Sequence, residues 1–207
     1  MKVTSDFLKA IAPFITFVLG VFAAPLVESL KDKRKAKKVK KNFILEIEDE
    51  IKTLIKNLKN MATALQDSKK LINGNPSQGD VVRCVPRITY IYFIGQTMDF
   101  SFGEFSEKQR NAMKSFLVQI EAMNDYINII LNTKITSETV AQLMDNYKRY
   151  LYTGSCMLNT MRIIINNENL NSSENDHDII KGVFGELKIE LSIEDLAIKR
   201  TMNIPKY

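Results

Sequence analysis

Three groups of side chains in this sequence could do chemistry. His177 stands in the run Asn175-Asp176-His177-Asp178, where acidic neighbours could orient or charge an imidazole. Cys84 and Cys156 could serve as thiol nucleophiles or pair in a disulfide. Tyr147, Lys148, Arg149, Tyr150 and Tyr152 could stack on a nucleotide or a single strand. Each group has a plainer reading. His177 is the one His in 207 residues and lies at the edge of a polar loop, the usual place of a solvated imidazole. Neither Cys has a His beside it in sequence, and both fall in segments expected in a reducing cytoplasm. Tyr147, Tyr150 and Leu151 have the spacing of one buried helix face, which leaves Lys148 and Arg149 to solvent.

Familiar catalytic spacings are missing. The sequence has no phosphate loop, dinucleotide fingerprint, His-Glu-x-x-His or Gly-x-Ser-x-Gly. One His and two distant Cys cannot supply a structural zinc cage, which takes four such ligands. The expectation is a non-enzymatic chain with no cofactor, no metal and no catalytic residue. With 45% hydrophobic and 26% charged residues, 8 Gly and 5 Pro, it is neither collagenous nor wholly disordered.

The location of the charge says more than its total. The chain carries a net +5, yet Lys31, Lys33, Arg34, Lys35, Lys37, Lys38, Lys40 and Lys41 alone, against Asp32, give residues 31–41 a net +7. Residues 1–30 sum to zero, so residues 42–207 are left at −2. Nucleic acid is therefore not expected as a partner, because the body of the chain offers no basic face. Such a block beside a membrane has another use: each Lys or Arg near an anionic leaflet gains about 1 kcal/mol.

The residues before the block give it that use. From Ala10 to Val27 there are 18 positions without a charge, and Phe7 and Leu8 lengthen the apolar run. A helix needs about 20 mostly apolar residues to cross a bilayer core. Pro13 and Pro25 lie near the two ends of the run, where a lost backbone hydrogen bond costs least. Basic residues immediately after a span mark its cytoplasmic side. The expected topology is a single pass, with a short N-terminus outside and the C-terminal domain in the cytoplasm. Two rival readings are weaker. A cleaved signal peptide would carry its charges before the apolar run, and a buried core helix seldom has so long an uncharged stretch.

Within the run, Ala12, Thr16, Gly20 and Ala24 recur every four residues as a small-residue stripe. Small side chains let two membrane helices approach closely, so the stripe is a candidate face for helix association. Past the basic block, Ile44, Ile47, Ile51, Leu54, Leu58, Met61 and Leu65 step by three and four, which is the seam of a coiled coil. Three heptads are short for an autonomous coil, which favours pairing within the chain over pairing with a second copy. The helix is expected to end near Asn73-Gly74, with a loop over 75–80.

The remaining elements are read more coarsely. Residues 81–100 are assigned to helix, although Ile88-Thr89-Tyr90-Ile91-Tyr92-Phe93 also suits a strand. Ser106 and Gln109 form a capping box opening a helix to about Asn132. Thr136 or Ser137 caps the next helix, which runs to about Asn166, and a polar loop follows to Asp176. Residues 177–201 hold a short helix and a stretch of period-two alternation. A small two-stranded element pairing 88–94 with 188–194 is the alternative for these pieces.

The sequence thus describes an all-α chain in three parts: an anchor over 1–30, a basic juxtamembrane segment over 31–41, and a cytoplasmic helical bundle over 42–207. Its expected partners are membrane lipids and either a second copy of itself or a cytoplasmic protein. The corresponding function is a membrane-anchored interaction protein. The alternative is a membrane-perturbing effector of toxin or antiviral-defence type, whose bundle clusters the transmembrane helix.

Overall fold

The computed structural model describes residues 2–72, 84–134, 136, 138–165 and 175–198. It is all-helical: α1 (Lys2–Ile72), α2 (Ile94–Phe100), α3 (Glu107–Asn132), α4 (Val140–Ile165) and α5 (Asp176–Leu187), with 3-10 turns at Phe102–Glu104 and Glu194–Leu196. The expected loops over 75–80 and 166–174, and Ser137, lie outside the described residues. The chain divides into two compact units, one of Met1–Phe43 with Phe93–Glu104 and one of Ile44–Tyr92 with Phe105–Tyr207.

In the larger unit the helix starts follow local chemistry. At α3, the Gln109 N–H donates to Ser106 Oγ at 3.3 Å and the Ser106 N–H donates to Gln109 Oε1 at 3.0 Å. These bonds satisfy donors that a helix start leaves open. Gln109 Nε2 also donates to the Ile164 carbonyl at 2.6 Å, so one side chain closes the start of α3 and the end of α4. Ahead of α4, Thr136 and Thr139 exchange two such bonds, with the Thr136 N–H on Thr139 Oγ1 at 3.0 Å and the Thr139 N–H on Thr136 Oγ1 at 3.3 Å. Asn175 caps α5, accepting from the Asp178 N–H at 3.0 Å.

The core of this unit collects one stripe from each long helix. Ile47, Leu54, Leu58, Met61 and Leu65 of α1 are buried, and Ile44 and Ile51 are half-buried. Met113, Phe116, Met123, Ile127 and Ile130 line the inner face of α3; Leu143, Tyr147, Leu151, Leu158 and Met161 line that of α4. Three helices meet at Gly154. A Cβ added there would lie 2.9 Å from Leu58 Cδ2 and 3.1 Å from Met123 Cε, so any side chain would make the ends of both neighbours shift.

Two expectations need correction. Residues 84–93 are not helical; helix in this region is confined to α2 at Ile94–Phe100. Nor do 88–94 and 188–194 pair, for there is no strand among the described residues. The segment keeps the alternation that suggested a strand, with Thr89 and Ile91 buried and Ile88, Tyr90 and Tyr92 exposed. Its backbone is satisfied by side chains. The Thr89 N–H donates to Asn124 Oδ1 at 2.9 Å, and Asn124 Nδ2 donates back to the Thr89 carbonyl at 3.0 Å. One amide thus offers the acceptor and donor that a neighbouring strand would offer. On α1, Glu46 Oε1 accepts from the Tyr92 N–H at 2.7 Å, and Glu50 Oε1 accepts from Thr89 Oγ1 at 3.3 Å.

The other supposed strand is held in a similar way. Lys188 ends α5 in the left-handed region at φ 55°, and the Ile189 N–H returns to the Phe184 carbonyl at 2.9 Å. Gln66 Nε2 then donates to the Glu190 carbonyl at 3.2 Å, and Lys69 Nζ pairs with Asp195 Oδ1 at 2.6 Å.

Asn124→Ala tests the side-chain substitute for a strand. Loss of both bonds to Thr89 should cost about 1–3 kcal/mol, since one buried donor and one acceptor lose their partners. Hydrogen exchange at the Thr89 amide should accelerate about tenfold, for each 1.4 kcal/mol of lost protection is a factor of ten. An unchanged exchange rate would contradict the clamp.

Candidate functional site

The residues singled out in the sequence as membrane-facing lie on α1. Phe14, Phe17, Leu19, Phe22 and Leu26 are each more than 60% exposed, and Ile15, Val21, Val27 and Leu30 are about half exposed. Nothing among the described residues covers them. Water around this many large apolar side chains is unfavourable by on the order of ten kcal/mol, at roughly 1.5–3 kcal/mol for each fully transferred side chain. This is the one helix among the described residues long and apolar enough to cross a membrane.

Helical structure continues through Pro13 and Pro25. Of the small-residue stripe, Ala12, Thr16, Gly20 and Ala24 are all exposed, and nothing lies within 4 Å of a Cβ added at Gly20. Thr16 Oγ1 donates to the Ala12 carbonyl at 2.8 Å, which leaves no unsatisfied hydroxyl on the stripe.

The basic block follows on the same helix. Lys31, Lys33, Arg34, Lys35, Lys37, Lys38 and Lys41 are exposed, while Lys40 is half-buried. Ala36, Val39 and Phe43, spaced along one face, are buried. In this unit the only chain outside α1 is Phe93–Glu104, and it is fastened to the block at two points. Lys35 Nζ sits 3.4 Å from the centroid of the Phe100 ring, a cation–π contact. Lys40 Nζ donates to the Glu104 carbonyl. This contact was not legible in the sequence; the one signal was the density of Phe93, Ile94, Met98, Phe100 and Phe102 in a stretch without a clear period.

The larger unit holds an open groove and both thiols. The groove, of about 780 Å³, runs between α3, α4 and α5, lined in part by Lys108, Asn111, Ser115, Gln119, Asn159 and Asp176. Gln119 Oε1 is buried there without a hydrogen-bond partner. Cys156 lies on its wall, and burial, aided by the Asp176 carboxylate, pushes its thiol up to about 12. Burial likewise raises the Cys84 thiol. His177 is exposed in the first turn of α5. Tyr147, Tyr150 and Leu151 are buried, and Tyr152 donates from its hydroxyl to Asp176 Oδ2 at 2.8 Å. No group of three potential metal ligands occurs among the described residues.

Comparison of the chain with family models, with curated proteins and with solved structures gives no match. The functional reading therefore rests on its own residues.

The thiol chemistry can be checked directly. Because thiolate is the reacting species, a thiol titrating near 12 exposes only about one part in ten thousand as thiolate at pH 8. Iodoacetamide should therefore alkylate Cys156 at least a hundredfold more slowly in the folded chain than in denaturant, as read by mass spectrometry. The rate should climb about tenfold per pH unit while the fold persists. Rapid labelling at neutral pH would reopen a nucleophilic role.

Proposed function

We infer that this chain is a membrane-anchored, non-enzymatic helical interaction protein. The supporting observation is the uncovered apolar surface of α1 over Phe14–Leu30, followed at once by eight basic residues of which seven are exposed. The apolar stretch is of the length a bilayer core requires, and the block sets the orientation by the preference of Lys and Arg for the cytoplasmic side. The residues before the span lie outside, and the helical bundle that follows is cytoplasmic. Anionic lipid headgroups are the partner of the block.

The protein-binding part of the reading has separate support. Ile88, Tyr90 and Tyr92 form an exposed row on the segment ahead of α2, with the two Tyr rings 5.7 Å apart. Their bodies are apolar and their hydroxyls polar, and aromatic residues of this kind are enriched at protein interfaces. Self-assembly or capture of a cytoplasmic protein through this row would present the complex at the membrane. The uncovered small-residue stripe favours a second reading, in which association of the spans perturbs the bilayer. Dye leakage from vesicles carrying the full chain separates the two.

The orientation is tested by reporters fused after Tyr207. A reporter active only in the cytoplasm should work, and one active only outside should stay silent; the reverse pattern would contradict the proposal. Replacement of all eight basic residues by Gln should leave the chain in the membrane fraction but yield both orientations. Recovery of the unmodified chain in the soluble fraction would overturn the anchor itself.

A further inference from the structure

We propose that Phe93–Glu104 is a second membrane contact, an interfacial element that places Phe100 among lipid headgroups beside the basic block. The inference rests on the anchor reading above and adds to it a contact from a part of the chain more than sixty residues beyond the span. Its course along α1 is fixed at two points: Phe100 lies on Lys35, and Glu104 returns to Lys40. Of the two, Lys35 is nearer the span, so the Phe100 end of the fastened stretch lies nearer to it than the Glu104 end.

The distance fits a headgroup layer. Leu30 is the last large exposed apolar residue before the basic block, and Lys35 follows five residues later, about 7.5 Å at 1.5 Å per residue. The polar layer on each side of a bilayer is about 5–7.5 Å thick, taking 30 Å of hydrocarbon within 40–45 Å overall. Helix side chains also lean toward the N-terminus, which carries Lys35 Nζ and the ring it touches further toward the span. Phe100 is 49% exposed, so half of an aromatic ring stays open at this depth. The segment's own charges, Asp99 and Glu104, are acidic and would be repelled by an anionic surface. The attraction must come from the cations of α1, and the cation–π contact joins the ring to one of them. Lipid is the occupant these features share: an open aromatic ring, a cationic face beside it, and continuity with an apolar helix.

The absence of Trp from the chain makes the test clean, because each Trp introduced is the sole indole emitter. Full-length Phe100→Trp would be reconstituted in phosphatidylcholine–phosphatidylglycerol vesicles whose acyl chains carry bromines at shallow or deep positions. Phe22→Trp, within the span, reports the anchor, and Val118→Trp, on exposed α3, reports the larger unit. The proposal expects the Phe100→Trp emission to be quenched at least twofold more by shallow than by deep bromines. It expects deep quenching for Phe22→Trp and none for Val118→Trp. Phe102→Trp serves as a second probe, with the same shallow profile expected if the first variant misfolds. An unquenched indole at 100 and at 102, with deep quenching at 22, overturns the interfacial contact and leaves the anchor standing. No quenching at 22 overturns both. Quenching at 118 equal to that at 100 shows the chain lying generally on the surface and overturns a contact particular to this segment.

Discussion

One helix in this protein has to satisfy two different surroundings, and the rest of the structure depends on that constraint. Over Phe14–Leu30 the large apolar side chains of α1 are left uncovered by the described residues. Over Ile47–Leu65 the same helix buries one face completely in the core of the larger unit. Between the two stands the densest charge in the sequence. An apolar surface exposed all round the helix asks for a low-dielectric solvent, whereas a single buried stripe with polar residues opposite asks for a protein core and water.

The basic block works as the boundary between these demands. In the proposed membrane arrangement its cations, each costing several kcal/mol in hydrocarbon, are what would end a span. Its buried face is formed by Ala36, Val39 and Phe43, small or apolar residues at helical spacing. The segment Phe93–Glu104 is held there by a ring on one Lys and a carbonyl on another. Charge on one side of the helix and packing on the other are thus combined within a few turns.

Much of this was readable in advance, and the reasons are local. The start of α3 was visible because Ser106 and Gln109 sit three apart, and the inner faces of α3 and α4 because their apolar residues recur at helical period. Along α1 the buried residues depart a little from the expected seam. Phe43 is fully buried and Ile44 only half-buried, so the apolar stripe turns slightly from an ideal heptad line. What could not be read depends on partners far away in sequence. Asn124 completes the backbone of Thr89 across 35 residues, and Gln66 reaches Glu190 across 124. Alternation at 88–92 was a true sign of alternating burial; it could not say that a side-chain amide takes the place of a second strand. The Lys35–Phe100 contact had only the aromatic density of 93–102 to announce it, since nothing in that stretch named Lys35 as the partner.

The central claim is that α1 passes from lipid to protein core along its length. Hydrogen–deuterium exchange of the full chain in lipid nanodiscs addresses it most directly. The account predicts amides of 14–27 that remain protected for days, because water does not reach them, together with protected amides at 47–65 inside the core. Exchange over 14–27 at the rate of a solvated helix, with 47–65 still protected, would contradict it.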